Sequence, residues 1–137
     1  MKGFYIGQGA KTSRLFSEED VANYHSLTGD TALNFGGRTA NDGKATIPGP
    51  LLGGLFSYLL GTQLPGRGTN WLKQSFSFPR SAYLDEEVTA EVSITRLRPR
   101  KALVNLSTIC KNPAGEIVCH GKALVLVSDL ELAPDID

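Results

Sequence analysis

Pro48-Gly49-Pro50-Leu51-Leu52-Gly53-Gly54-Leu55-Phe56-Ser57-Tyr58-Leu59-Leu60-Gly61 is apolar on nearly every side when wound as a helix. Prolines in its first turn and Gly61 near its end mark its limits, since proline lacks only a donor that a helix start leaves unpaired anyway. Such a helix needs cover all round. In a chain of 137 residues with one core, the economical cover is a curved antiparallel sheet wrapped about it. The expected class is α+β, a single domain over 1–137 with its core at about 11–128 and an acidic tail over 129–137.

The flanking segments fit that plan. Lys11 to Phe16 reads as a short strand, and Ser17-Glu18-Glu19-Asp20 as a capping-box start of a first helix. Val21, Tyr24 and Leu27 give that helix one apolar stripe, and Gly29 its stop. From Asp30 to Pro48 the pattern dissolves into Gly36, Gly37, Gly43 and small polar residues, which makes it loop. Beyond the turn at Pro65-Gly66-Arg67-Gly68 the chain reads as strands: Trp71, Phe76 and Phe78 up to Pro79, then Val88, Ala90, Val92 and Ile94 in alternation. A hairpin of Lys101 to Lys111 and Glu116 to Ser128 turns through Asn112-Pro113-Ala114-Gly115.

Fourteen basic and fourteen acidic side chains cancel, so no global field recruits nucleic acid or anionic lipid. No stretch is long and apolar enough to span a membrane, and Met1 to Ala10 lacks the charged-then-apolar order of a targeting peptide. A cytoplasmic location is expected, with Cys110 and Cys119 as reduced thiols. Two His and two Cys without ligand spacing give no zinc site. His25 falls off the stripe of its helix, and His120 shares a strand face with Val118 and Lys122 by simple alternation.

Several strings in order resemble the MaoC-like, (R)-specific enoyl-CoA hydratase family: Phe16-Ser17-Glu18-Glu19-Asp20-Val21, Leu27-Thr28-Gly29-Asp30, Leu51-Leu52 to Gly61 with its Leu-Phe-Ser core, Gln63-Leu64-Pro65-Gly66-Arg67-Gly68, Gln74-Ser75-Phe76-Ser77-Phe78, and Asp85-Glu86-Glu87-Val88-Thr89-Ala90-Glu91-Val92. The resemblance spans about residues 13–127 and implies a hot-dog fold. It also implies water addition to enoyl thioesters, or its removal from 3-hydroxyacyl thioesters, without metal or redox cofactor. Coenzyme A or phosphopantetheine enters only as part of the substrate. By the same resemblance the chain is expected to form a homodimer, or a heterodimer with another hot-dog chain, and to meet acyl-CoA or an acyl-carrier protein.

The family's active pair is an Asp and a His in a Gly-Asp-x-Asn-Pro-x-His pattern, and here that stretch reads Gly29-Asp30-Thr31-Ala32-Leu33-Asn34-Phe35. Asp30 matches the acid/base, whereas Phe35 stands at the histidine. The chemistry needs a base at C2, an acid at the departing hydroxyl and donors for the enolate-like thioester oxygen. Phe35 carries no proton. Gly49 matches the glycine opening the central helix, where amide donors and the positive helix end polarise the carbonyl. Ser57 matches the serine that organises the catalytic pair, and Asn34, Phe35, Pro48 and Pro50 are expected around the pocket. The cations of Arg96-Leu97-Arg98-Pro99-Arg100-Lys101 at a hairpin tip suit the carrier's phosphates, with Arg38, Lys44 and Arg67 as further candidates. Besides a hydratase/dehydratase, the missing histidine leaves open a double-bond isomerase, a thioesterase, or a non-catalytic partner or acyl-binding subunit.

Overall fold

The computed structural model describes residues 1–31, 33 and 45–131. Five antiparallel strands form one sheet: β1 (Gly9–Arg14), β2 (Asn70–Gln74), β3 (Val88–Arg98), β4 (Leu103–Lys111) and β5 (Ile117–Leu126), in the order β1-β3-β4-β5-β2. Helix α1 (Glu18–Thr28) follows β1, and α2 (Gly49–Thr62) lies against the sheet. β1 starts and ends two residues before the stretch expected from the sequence. Phe16 is nevertheless buried, beyond the strand's end.

Alternation explains the inner face. Val88, Ala90, Val92 and Ile94 of β3, and Val104, Leu106, Thr108 and Cys110 of β4, are all buried. They pack with Leu52, Leu55, Phe56, Leu59 and Leu60 of α2 in one core. Thr108 is the one buried polar residue among those described, and its hydroxyl accepts a 2.9 Å hydrogen bond from the Gln74 side-chain amide. Cys110 faces Cys119 across β4 and β5 as free thiols, and burial pushes each up to about 12.

The α1 start is a full capping box. Ser17 Oγ accepts from the Asp20 amide at 3.2 Å, and the Asp20 carboxylate accepts from the Ser17 amide at 2.9 Å. That second bond, foremost, holds Asp20 below the usual carboxylate range. Gly29 closes the helix in the left-handed conformation, φ 74°, its N–H donating to the His25 carbonyl.

Three expectations need correction. Of the α1 stripe only Tyr24 is buried, while Val21 is half-buried and Leu27 is 86% exposed, so the helix meets the core through one residue. The central helix is not covered all round: Gly54, Ser57 and Tyr58 are exposed, three and four residues apart along one open face. The sheet covers one side and Phe76 lies over Gly53, which leaves Gly54, Ser57 and Tyr58 open. Finally, His120 does not share a face with Val118. The β4–β5 register slips between Cys110 and Lys111, leaving Val118 as an extra residue. Val118 and Cys119 both point inward, and His120 and Lys122 point out.

β2 is an edge strand with a bulge between Trp71 and Lys73, and the chain continues along β5 through the Ser77–His120 bridge. Gly121 permits that approach, because a Cβ there would collide with the Ser75 carbonyl. The run brings Phe76 over α2, where a Cβ on Gly53 would lie 3.0 Å from the ring. Phe76 thus rests on bare helix backbone and stacks between Phe56 and Phe78, with centroids 6.3 and 5.9 Å away.

Candidate active site

The beginning of α2 divides two clefts. One, of about 470 Å³, opens between α1 and α2 and is lined by Phe16, Tyr24, Thr28, Leu51 and Tyr58 among others. The second, of about 380 Å³, is almost wholly apolar and lies between α2 and the aromatic run after β2, with Gly49, Gly53, Trp71, Phe76 and Phe78 in its walls. Pro50 and Gly54 line both. The apolar second cleft suits an apolar segment of a ligand, while the first also presents Thr12, Arg14, Asp20, Asn23 and Thr28.

Asp30 lines neither cleft directly. It follows the Gly29 turn, is partly exposed, and reaches the first cleft through two of that cleft's residues. The Tyr24 hydroxyl donates to Asp30 Oδ2 at 2.7 Å, and the Asp30 amide donates to Thr28 Oγ1 at 3.1 Å. The Leu33 amide donates to Asp30 Oδ1 at 3.3 Å. Burial first, and the Asp30 carboxylate next, push the Tyr24 phenol above its ordinary value, so it stays protonated as the donor.

At the other side of the divide, Gly49 is buried as the first residue of α2, between Pro48 as N-cap and Pro50. Neither proline has an N–H, and the Leu51 amide donates to the Pro48 carbonyl at 3.0 Å. The leading turn therefore offers the single Gly49 amide plus the helix dipole, rather than the several amides expected. Ser57 sits on the open face of α2, and no contact joins its hydroxyl to Asp30. Pro48 is buried and lines neither cleft, whereas Pro50 lines both. Asn34, Phe35, Arg38 and Lys44 lie outside the described residues.

At the β3–β4 tip, Arg96, Arg98, Pro99, Arg100 and Lys101 line a concavity of about 510 Å³. No carboxylate forms an ion pair with these cations among the described residues, where the salt bridges are Arg14–Asp20 and Arg80–Glu116. Arg98 donates through Nη2 to Asn105 at 2.9 Å, while its buried Nε has no hydrogen-bond partner.

Across 125 aligned residues the sequence is 38% identical to an (R)-specific enoyl-CoA hydratase of Aeromonas caviae, covering 88% of this chain and 92% of that one. The chain belongs to the (R)-specific enoyl-CoA hydratase family. The solved (R)-hydratase from A. caviae, described as involved in PHA biosynthesis, superposes with a TM-score of 0.84 at 35% identity, over 92% of this chain and 98% of that one. A further family relative is a mitochondrial 3-hydroxyacyl-[acyl-carrier-protein] dehydratase of Solanum lycopersicum, 30% identical over 135 residues, covering 94% of this chain and 81% of the relative. No protein-family model matches the chain. The hot-dog architecture expected from the sequence is thus the family's own, with α2 as its central helix. Among the described residues no helix is long and apolar enough to cross a membrane.

Tyr24 was missed as a site residue because only its packing was weighed. The available signal was a hydroxyl on an otherwise apolar position, six residues before Asp30 and across a helix stop. In the sequence Trp71 and Phe76 are indistinguishable from ordinary strand residues. Their exposure, 41% each, marks them as cleft wall instead.

Proposed function

We propose that this chain interconverts enoyl and 3-hydroxyacyl thioesters carried on coenzyme A or an acyl-carrier protein, with Asp30 as the acid/base and Gly49 polarising the thioester carbonyl. The supporting observation is the Asp30 carboxylate, tied by Tyr24 to the cleft beside the start of α2. A lone carboxylate suffices for a balanced cycle. It takes the C2 proton of a 3-hydroxyacyl thioester and returns it to the C3 hydroxyl as the C3–O bond breaks, releasing water and leaving the C2–C3 double bond. The Gly49 amide and the helix dipole stabilise the enolate-like oxygen that develops between the two transfers. No metal or redox step enters, and the only carrier is the substrate's own. The full chain mixed with crotonyl-CoA is expected to form 3-hydroxybutyryl-CoA, followed by loss of enoyl absorbance and by chromatography. No product, or free thiol instead, overturns the reading. Because Phe35 replaces the motif histidine, a non-catalytic partner subunit is the second reading, favoured if turnover appears only with another hot-dog chain.

The active form is a homodimer built on the β2 edge, which exposes Trp71, Leu72 and Phe76 beside unpaired strand backbone. Light scattering is expected to return twice the chain mass, and Leu72→Asp to shift it to monomer. An unchanged dimer in the variant removes β2 as the interface.

The hairpin tip, whose cations have no carboxylate partner among the described residues, supplies donors suited to the carrier's phosphates. Arg98→Ala with Arg100→Ala is expected to raise KM for a CoA substrate about 10-fold with kcat held, as removal of uniform binding does. A fall in kcat at constant KM would exclude that role.

A further inference from the structure

We infer that Tyr24 is the positioning residue for Asp30, holding its carboxylate through the phenol hydroxyl. This rests on the reading of Asp30 as the acid/base. In α1 Tyr24 is the one buried residue, while Val21 and Leu27 are not buried. A hydroxyl at that position needs an acceptor, and the Gly29 turn folds the chain back so that Asp30 Oδ2 stands 2.7 Å away. The second oxygen accepts from the Leu33 amide, so the carboxyl plane is held at both ends by residues of one short segment.

A base that must deliver and recover one proton needs its carboxyl plane fixed, since proton transfer tolerates little misplacement. A donor on one oxygen also favours the ionised form, ready to take the C2 proton. The other titratable groups near Tyr24 do not compete for this. His25 lies with its ring centroid 5.7 Å from that of Tyr24, and Asp20, one turn earlier on α1, is paired with Arg14 of β1 at 3.5 Å. Tyr24 acts through Asp30 and is assigned no proton of its own to transfer.

The test compares the full-length protein with Tyr24→Phe and Asp30→Asn in 3-hydroxyacyl-CoA dehydration across pH, with circular dichroism to check folding. Tyr24→Phe keeps the ring and removes one oxygen. The expected result is kcat lowered by about 10–100-fold at nearly constant KM, the size of one hydrogen bond to a charged group. Its acidic limb should also move to higher pH, because the carboxylate has lost a donor. Asp30→Asn should be far slower at every pH. Wild-type kcat and pH profile in Tyr24→Phe, with Asp30→Asn slow, overturn the role of Tyr24 and leave Asp30 standing. Full activity in Asp30→Asn overturns the acid/base reading itself. Should Tyr24→Phe fold poorly, Tyr24→His provides the second variant: a ring donor retained at the site should recover part of kcat, and recovery of folding without kcat overturns the inference.

Discussion

Asp30→Asn is expected to lower turnover of an enoyl or 3-hydroxyacyl thioester by about 10²–10⁴-fold, the usual loss when a general acid or base is removed. Asparagine keeps the shape and can still accept the Tyr24 hydroxyl through its amide oxygen, so the Tyr24 bond survives the change. What disappears is the capacity to hold the C2 proton between its removal and its return. KM should change little, since Asp30 lines neither cleft and the proposed place for the substrate's apolar length is along Pro50, Gly54 and the aromatic walls. Steady-state kinetics of the pure variant, with its unfolding midpoint as control, decide the matter. A variant within about threefold of wild type would mean that the proton moves through another group, and no loss of that size is then compatible with a general-base role.

The same arrangement shows how far a linear reading reaches. The α1 cap was legible because Ser17 and Asp20 are three residues apart and their hydrogen bonds are local. The apolar run of α2 was legible as a helix for the same reason. Which of its faces meets the sheet was not, because Gly54, Ser57 and Tyr58 differ from their neighbours only in what the rest of the chain places beside them. Exposure there is a tertiary fact. The slip at Val118 was invisible because a bulge belongs to a pair of strands, and strict alternation along β5 alone put Val118 on one face with His120 and Lys122.

In the site, Asp30 and Gly49 came from motif order, whereas their surroundings came from contacts across the chain. The reduced amide supply at Gly49 could have been read directly, since Pro48 and Pro50 visibly lack N–H groups. The Tyr24–Asp30 bond had only a weaker signal, a hydroxyl six residues before Asp30, because its closure depends on the left-handed turn at Gly29. The cleft behind Phe76 depends in turn on two missing side chains, at Gly53 and Gly121, which let one aromatic run lie on both a helix and a strand. Glycine spacing along the chain does not reveal that the same segment meets both.

Phe56→Ala is expected to destabilise the fold by about 3–5 kcal/mol, the range for deleting a buried aromatic ring. Phe56 is fully buried, at 0% exposure, between α2 and the inner sheet face, and its ring supports Phe76 at 6.3 Å. Removing it costs the transfer energy of the ring and leaves a cavity that β3 and β4, locked in their ladder, cannot close. Since domains of this size are stable by only about 5–15 kcal/mol, the variant should sit near the edge of folding. The aromatic stack over Gly53 loses its inner member at the same time, so the apolar cleft should lose definition before the chain unfolds. Urea denaturation reads the change as a lower midpoint at unchanged slope. A loss under about 1 kcal/mol would mean that the site collapses around the missing ring. In that event α2 and the sheet are packed more loosely than the fully buried side chains on both of them indicate.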